Sequence, residues 1–423
     1  MFYNWIRKTG YWTLDALKGS PIKNRYQHLK SVREGNQDDS LLKLLEHAIK
    51  TVPAYSSIPK PSLNLFPVVN KDTYRKAYDN FRSSAFPDES QLHSIYTSGS
   101  TGTPFKAIQN KDKLLWHQAG LIALNESIGW NLGDRFIFMR VWGMGHDAGW
   151  LSRTMTNMVP VNVIGFNEEE SQRVRRIVLN DKKLDIIFGY SSTLEKLAET
   201  ALTSKEKPQD YGLKLIIADS EQLTKEARGK IEKAFQCPVY NRYGNNENGI
   251  LALAGSDDVF VVNYPEYFVE ILKLDSDEQV KYGELGRVVI TDLYNYAFPF
   301  IRYDTGDLAI AGQMKNDQCI ELLELSGRVS STLRDVKGGI VTETTVAAFF
   351  KTIPNVKRYQ VVQEGVNEYI VNVEGTDMLD DNAINSKMYE CFGDEAIIKI
   401  NRVSQIQPGK NGKYSTTIYK IKK

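Results

Sequence analysis

The chain has 423 residues, of which 42% are hydrophobic and 25% charged, and its formal net charge at pH 7 is +1. This length predicts two or three domains rather than one compact core. The balanced charge argues against a dedicated nucleic-acid-binding protein, and no segment approaches the roughly 18 consecutive apolar residues that a membrane span requires.

The beginning of the chain has the pattern of helices. The aromatic N-terminus, MFYNWIRKTGYWTLDAL, lacks the apolar core of a signal peptide, and we expect it to pack against its own domain. A helix lying on a membrane surface, and so a peripheral membrane contact, is the alternative. In SLLKLLEHAIKTV, Leu41, Leu45 and Ile49 recur at near-helical spacing, which predicts a helix that ends before Pro53.

The next feature is a stretch rich in glycine and hydroxyl residues, YTSGSTGTPFK, which follows a predicted strand. Glycines let backbone amides approach a ligand closely, and hydroxyls add short donors, so the stretch predicts a phosphate-binding loop. A polar hairpin is the alternative. No Gly-Lys-Ser/Thr closes the stretch, so it is not a Walker A loop.

Beyond this loop, apolar strands alternate with helices. Strands are predicted in DRFIFMRVW, LDIIFGY and LKLIIAD, and a helix in SSTLEKLAETAL between the last two. This order predicts a parallel α/β sheet. From about Pro238 the strands become shorter and are separated by turns, as in GELGRVVITDL and CIELLEL, which predicts an antiparallel sheet or a small β-barrel-like subdomain.

The residues after SGRVSS form the last predicted unit, a small α+β domain. TETTVAAFFKTI is its first predicted helix, and RYQVVQE with EYIVNVEG its predicted hairpin. We therefore expect a large domain over residues 1–327 and a small C-terminal domain over residues 328–423.

Two stretches combine turn residues with carboxylates. NRYGNNENGILAL contains an aromatic ring (Tyr243), a flexible turn and a carboxylate (Glu247), which suit purine stacking and magnesium binding; an ordinary Asn-rich turn is the alternative. In FPFIRYDTGDL, Asp304 and Asp307 flank Thr305-Gly306 in a predicted turn. A carboxylate there can accept both hydroxyls of a ribose, and an Asx turn is the alternative.

Three further candidates are single residues. Arg328, in GRVSS, is a cation near the proposed domain boundary, and Lys413 follows a glycine in QPGKNGKYSTT, where an ordinary surface charge is the alternative. His146 lies in WGMGHDAGW, beside Trp142. Glycine-flanked aromatic residues suit the wall of a substrate pocket, whereas ordinary packing of the histidine is the alternative.

The three cysteines (Cys237, Cys319 and Cys391) lie far apart in the sequence. They show no CxxC spacing and so match neither a zinc site nor an evident disulfide framework. A reducing, cytoplasmic location is the simplest expectation.

Taken together and in this order, these motifs resemble the adenylate-forming superfamily of acyl-CoA synthetases, luciferases and peptide-synthetase adenylation domains. YTSGSTGTPFK is similar to its phosphate loop, RYGNNE to its Tyr-Gly-x-Thr-Glu motif, and RYDTGDL to its ribose motif. GRVSS is similar to its hinge and PGKNGK to its catalytic-lysine loop. IIADSEQLTKEARGKIEKAF and FPFIRYDTGD resemble the phenylacetate–CoA ligase branch and, within it, the CapK-like group associated with surface polysaccharide biosynthesis.

The resemblance implies a role for each motif residue. The ATP phosphates would be held by Thr97, Ser98, Gly99, Ser100, Thr101 and Gly102, and the adenine by Tyr243, with Gly244, Asn245 and Asn246 nearby. Glu247 would bind Mg²⁺, and Asp307 the ribose. Arg328 would contact the nucleotide near the hinge, and Lys413 would stabilise charge while the adenylate forms. The chain departs from the family pattern at Phe105, Asn246 and Ser330.

The implied function is ATP-dependent activation of a small carboxylic acid as an acyl-adenylate, with release of pyrophosphate. The CapK-like likeness favours transfer to an amine acceptor in surface polysaccharide biosynthesis, such as capsule or O-antigen. The phenylacetate–CoA ligase likeness implies coenzyme A as the acceptor instead. A non-catalytic nucleotide sensor is the alternative from another class, and the retention of Glu247 and Lys413 argues against it.

Overall fold

The computed structural model of the chain describes residues 2–33, 39–97, 105–142, 149–328, 332–350, 352–407 and 414–421. Its α-helices are α1 (Phe2–Leu17), α2 (Pro21–Ser31), α3 (Ser40–Thr51), α4 (Lys71–Lys76), α5 (Lys111–Ser127), α6 (Trp150–Thr156), α7 (Glu168–Asn180), α8 (Ser191–Leu202), α9 (Pro208–Tyr211), α10 (Lys225–Phe235), α11 (Glu343–Phe350) and α12 (Asp381–Phe392). The helix predicted before Pro53 is α3, which buries Leu44, Leu45 and Ala48.

The strands of the same residues are β1 (Val69–Asn70), β2 (His93–Thr97), β3 (Phe105–Gln109), β4 (Arg135–Arg140), β5 (Met158–Asn162), β6 (Leu184–Tyr190), β7 (Leu215–Asp219), β8 (Val239–Asn245), β9 (Gly249–Ala254), β10 (Phe260–Val262), β11 (Tyr267–Leu272), β12 (Leu285–Asp292), β13 (Tyr303–Ala311), β14 (Met314–Lys315), β15 (Gln318–Cys319), β16 (Glu321–Arg328), β17 (Leu333–Arg334), β18 (Ile340–Val341), β19 (Val356–Gln363), β20 (Glu368–Gly375), β21 (Ile397–Arg402) and β22 (Thr417–Tyr419).

Five strands form the predicted parallel α/β sheet, in the order β5-β4-β6-β7-β8. One of its faces is covered by α7, α8 and α10, whose buried side chains include Val174, Leu197 and Ile231. These pack on strand residues such as Ile137 and Ile216, which alternate with residues facing the other way. The strand–helix–strand prediction is therefore confirmed for this part of the chain.

The antiparallel strands continue the same sheet. Beyond β8 the hydrogen-bonded order runs β9-β10-β16-β13-β12-β11, and β1 pairs in parallel with β13, so that twelve strands form one mixed sheet. The prediction of a separate barrel-like subdomain is wrong in this respect. Strand lengths and turns reveal an antiparallel arrangement, but they do not reveal that β8 and β9 pair across the junction.

Contacts between residues divide the chain into two compact units. One comprises residues 1–305 and 310–324, and the other comprises residues 306–309 and 325–423. The second unit contains a four-stranded sheet in the order β21-β20-β19-β22, against which α11 and α12 pack buried side chains such as Val346 and Phe392. The predicted helix (α11) and the predicted hairpin (β19 and β20, antiparallel) are both present.

The N-terminal helix α1 packs against its own unit through polar and aromatic contacts. Asn4 Nδ2 donates to Asp134 Oδ1 at 2.9 Å, and the Trp12 ring lies 5.6 Å from that of Tyr26. Trp5 is nevertheless 62% exposed, and Leu17 80%. No helix in the described ranges is both long enough and apolar enough to cross a membrane.

Candidate active site

The β8–β9 hairpin carries the Tyr-Gly-Asn-Asn-Glu motif. Asn245 Oδ1 accepts a hydrogen bond from the backbone N–H of Asn248 at 2.8 Å, which closes the turn. Gly244 lies opposite Ile250 and Asn245 opposite Gly249, and a Cβ on Gly244 would overlap the carbonyl oxygen of Gly249. Gly249 has φ 112°, a region that favours glycine. The glycines therefore permit a tight hairpin that leaves Asn246 exposed at its tip.

Glu247 is buried, with 2% of its surface exposed. Its Oε1 accepts a hydrogen bond from the Tyr303 hydroxyl at 2.6 Å and lies 2.8 Å from Lys71 Nζ. The side-chain amide of Gln109 donates to the Glu247 carbonyl at 3.1 Å, which links the turn to the strand that follows the glycine-rich stretch. The motif carboxylate is thus a buried anion balanced by one cation and oriented by one hydroxyl.

A fully buried ion pair lies behind this turn. Lys113 Nζ of α5 is 2.8 Å from Asp292 Oδ1 of β12, and both side chains are 0% exposed. The same ammonium donates to the Tyr267 hydroxyl at 3.5 Å, and that hydroxyl donates to the Asn248 carbonyl at 2.5 Å. Burial raises the pKa of Tyr267 well above its ordinary value, which keeps the hydroxyl a donor. The pair therefore supports the turn through Tyr267.

Burial also shifts the pKa values of two further titratable groups in the same region. Burial raises the pKa of Glu266 to about 7, and Asn263 Nδ2 donates to its Oε1 at 2.9 Å. Gly120 of α5 leaves the space that this carboxyl group occupies. Burial lowers the pKa of His117 to about 4, so this ring is neutral near pH 7. It lies against Gly249, where a Cβ would be 2.6 Å from its Cε1.

The Asp-Thr-Gly-Asp stretch lies within strand β13 and not in a turn, so the predicted turn and its Asx-turn alternative are both wrong. The cause is tertiary, because pairing with neighbouring strands extends the segment, while Gly306 takes up the irregularity with φ 76°. Asp304 Oδ2 accepts from Arg287 Nη1 at 2.7 Å, and Thr305 Oγ1 donates to a backbone carbonyl. Asp307 is buried, with 8% exposed.

Lys71 reaches Glu247 from a distant part of the sequence. It is the first residue of α4, directly after β1, and β1 pairs with the beginning of β13. Arg302 Nη1 donates to the carbonyl of Phe66 at 3.2 Å across 236 residues of sequence. Strand β1 therefore places Lys71 beside Tyr303 and Glu247.

Several predicted site residues fall outside the described residues: Ser98, Gly99, Ser100, Thr101, Gly102, His146, Ser330 and Lys413. Thr97 and Arg328 are the last residues of β2 and β16. The predicted strand before the glycine-rich stretch is β2, and it pairs with β3 from His93–Gln109 to Thr97–Phe105. Trp142 is half-buried, and its Nε1 donates to the Phe138 carbonyl at 3.2 Å.

The sequence did not reveal three residues that contact or support the Glu247 turn, namely Lys71, Lys113 and Asp292. None belongs to a recognisable motif. A lysine at position 113 inside the apolar stripe of α5 is the one available signal, because a fully buried lysine requires a partner.

Two family models match the chain. The AMP-binding enzyme model matches residues 34–293, and the CapK C-terminal domain model matches residues 333–420. Protein CapK of Staphylococcus aureus is 23% identical over 441 residues, covering 96% of this chain and 94% of that protein. The phenylacetate-coenzyme A ligase of Thermus thermophilus is 25% identical over 386 residues, covering 84% of this chain and 81% of that protein.

Solved structures share the fold. 2-Hydroxyisobutyryl-CoA ligase in its postadenylation state, in complex with R3-HIB-AMP, is 17% identical with a TM-score of 0.66 and covers 90% of this chain and 87% of its own. ATP-bound MatB from Rhodopseudomonas palustris is 13% identical with a TM-score of 0.56, and the match covers 75% of this chain and 65% of the MatB chain. At these low identities the structural similarity shows only a shared fold, which consists of the mixed sheet and the small C-terminal sheet.

The AMP-binding model spans more than half of the chain, and the predicted superfamily is thereby confirmed. The chain belongs to the AMP-binding enzyme family and is an ATP-dependent, AMP-forming adenylating ligase of the CapK and phenylacetate-CoA ligase-like group, with a CapK C-terminal domain.

Proposed function

We propose that the enzyme activates a carboxylic acid as acyl-AMP and passes the acyl group to an amine acceptor in surface polysaccharide biosynthesis. The observation that carries the adenylation step is the buried Glu247 carboxylate on the motif hairpin of an AMP-binding enzyme. The match to the CapK C-terminal domain supports the amine acceptor, because the CapK-like resemblance is what implies an amine. Transfer to coenzyme A is the second candidate, supported by relatives named phenylacetate-coenzyme A ligase.

The nucleotide roles are proposed from the motif matches. Tyr243 lies against adenine, Asp307 accepts the ribose hydroxyls, and the 97–102 stretch holds the phosphates. Arg328 contacts the nucleotide near the hinge. Trp142 and His146 line the acid pocket. Nucleotidyl transfer depends mainly on positioning and electrostatic stabilisation, which donors and cations of these types supply.

Glu247 suits a magnesium ion that arrives with ATP. Mg²⁺ in such sites takes one or two carboxylates and completes its shell with phosphates and water. Within the described part of the chain, no group of three or more His, Cys, Asp or Glu side chains would hold a metal by itself. When bound, the ion would neutralise phosphate charge, while Lys71 and Tyr303 orient the carboxylate.

The proposal is tested by acid-dependent exchange of labelled pyrophosphate into ATP, over a panel of carboxylic acids and uronic acids. Amines and coenzyme A are then added separately to the active acid. Amide formation supports the favoured acceptor, and thioester formation supports coenzyme A. Absence of exchange with every acid contradicts the adenylation step and favours the alternative that the protein is a non-catalytic nucleotide sensor.

We expect Glu247→Gln to raise the Mg²⁺ concentration needed for half-maximal exchange by at least about tenfold, because an amide oxygen is a weaker ligand than a carboxylate. Glu199→Gln, on the exposed side of α8, is the matched control and should exchange normally. Exchange that proceeds equally well without divalent metal would contradict the proposed role of Glu247.

We expect Asp307→Ala to weaken ATP binding while acid binding is retained. Each charge-assisted hydrogen bond to a ribose hydroxyl contributes roughly 1.5–3 kcal/mol, so the loss amounts to about tenfold or more in Kd, measured by calorimetry. Asp304→Ala on the same strand is the control, because Asp304 is committed to Arg287. Unchanged nucleotide affinity in the Asp307→Ala variant would show that Asp307 has only a structural role.

A further inference from the structure

The carboxyl ends of the parallel strands meet beside the Glu247 hairpin. Arg140 ends β4, Asp219 ends β7, and Arg242 of β8 lies directly opposite Asp219 in the register. Ligands of open α/β sheets bind outside this edge. The acid that is to be adenylated must lie near the nucleotide motifs that follow β8, so this edge is where its distal groups are contacted.

Arg140 presents a charge that no ion pair within the described part of the chain neutralises. Its guanidinium lies 5.3 Å from the ring centre of Phe138 and 5.4 Å from that of Trp142. The residue is half-buried, and its guanidinium makes neither a hydrogen bond nor an ion pair with any residue of the described ranges. The two rings contact the guanidinium by cation–π interaction, and its N–H donors have no acceptor among the residues that the structure describes.

Asp219 is the complementary group on the same edge. It is half-buried, and across the described segments its carboxylate accepts no hydrogen bond. Its negative charge partly offsets the burial that lowers the pKa of Arg242. Arg242, directly opposite, also has contacts on two other elements. Its Nη2 donates to Asn125 Oδ1 at 3.0 Å, and its guanidinium lies 4.5 Å from the Phe188 ring centre. Arg140 and Asp219 thus lie on strands about 10 Å apart, two strand spacings, and each side chain has hydrogen-bonding capacity that the described residues leave unused.

This arrangement disfavours an aryl or alkyl acid. An apolar acyl group placed over the edge would remove water from Arg140 and Asp219 without supplying partners, and uncompensated burial of ionised groups is strongly unfavourable. A carboxylate or phosphate, in contrast, matches the planar donors of a guanidinium in a bidentate way. Hydroxyl groups can donate to the Asp219 carboxylate.

We propose that the acid substrate is a hydroxylated acid with a second anionic group, which Arg140 binds while Asp219 accepts its hydroxyl donors. This inference rests on the proposed adenylation and specifies its substrate class. Arg140 and Asp219 are the residues that select the acid, and Trp142 supports Arg140 by stacking.

The test compares straight-chain dicarboxylic acids of three to eight carbons with monocarboxylic acids of the same lengths, by pyrophosphate exchange. At least one dicarboxylate should exceed its monocarboxylate partner in kcat/KM by about tenfold or more, and Arg140→Gln should abolish that preference without changing the KM for ATP. Arg135→Gln, at the opposite end of the same strand and paired with Asp181, is the matched control and should retain the preference.

A second pair, glucarate against adipate, tests Asp219. Glucarate should be the better substrate, and Asp219→Asn should remove the difference. Preference for monocarboxylates in the wild type, equal loss for both classes in Arg140→Gln, or equal rates with glucarate and adipate would overturn the inference.

Absence of exchange with every acid would instead contradict the adenylation proposal. The inference is then decided by calorimetry with the same dicarboxylates. Binding that is lost in Arg140→Gln supports it, and absence of binding, or equal binding by both proteins, overturns it.

Discussion

Lys113→Met should lower the free energy of unfolding by about 3–5 kcal/mol, because it leaves Asp292 as an uncompensated buried charge. Both side chains are fully buried, and Asp292 Oδ2 has no hydrogen-bond partner among the described residues. The variant also removes the donor to Tyr267, whose hydroxyl supports the Glu247 turn. Urea unfolding followed by tryptophan fluorescence measures the effect. All six tryptophans precede residue 151, so the signal reports the larger unit.

Two control variants distinguish the effect of an unpaired buried charge from the effect of replacing any paired lysine. Lys196→Met breaks a partly exposed pair with Glu168 and should cost less than about 1 kcal/mol. Combining Lys113→Met with Asp292→Asn removes both charges, keeps an acceptor for the Tyr294 N–H, and should recover part of the loss. A cost for Lys113→Met no larger than that for Lys196→Met would show that Asp292 finds another partner or becomes protonated without penalty.

Lys413→Ala should lower the rate of adenylation by about 10²–10³-fold and spare transfer from a supplied acyl-adenylate. Negative charge builds on the α-phosphate oxygens as the acid attacks, and removal of one stabilising donor has a typical effect of this size. The resemblance of PGKNGK to the catalytic-lysine loop implies that the C-terminal unit brings this ammonium to the nucleotide for the first step alone. Lys413 would then be dispensable when the acyl group is joined to its acceptor.

Synthetic acyl-adenylate offered with the acceptor separates the two steps. Lys410→Ala, in the same loop and with the same change of charge, is the matched control and should be active in both. If the Lys413→Ala variant lost activity equally in adenylation and in acyl transfer, the domain movement would be contradicted. Lys413 would then have a structural or acceptor-binding role. Full activity in both would show that the motif match is accidental.

The elements that the sequence predicted are those whose pattern is local. Strands β4, β6 and β7 are dominated by apolar residues, and α8 repeats its apolar residues at helical spacing, so no distant partner is needed to recognise them. Strand β5 escaped prediction because Pro160 interrupts it, as an edge strand tolerates. Strand β1 has two residues and exists through its pairing with β13.

The same distinction applies to the candidate site. Tyr243, Gly244, Asn245, Asn246 and Glu247 are neighbours in sequence, and their shared hairpin was therefore predictable as a motif. The cation beside Glu247 was not predictable, because Lys71 arrives through β1. The carboxylates of Asp304 and Asp307 gave the same turn signal, and the family resemblance alone singled out Asp307. The structure adds a second distinction, because Asp304 pairs with Arg287.

The pairing of β1 with β13 has a consequence for synthesis of the chain. Phe66 and Arg302 are separated by 236 residues, so at roughly 5–20 residues per second the N-terminal segment waits on the order of 10–50 s for its partner. Tyr74 is fully buried against Phe298 and Phe300 in the finished protein, with ring centres 5.3 Å apart in both cases. Before the ribosome has synthesised Phe298 and Phe300, the Tyr74 side chain cannot be buried against them. Contacts of such high sequence separation form late, and truncated chains ending before residue 298 expose an aromatic surface that chaperones bind and that promotes aggregation.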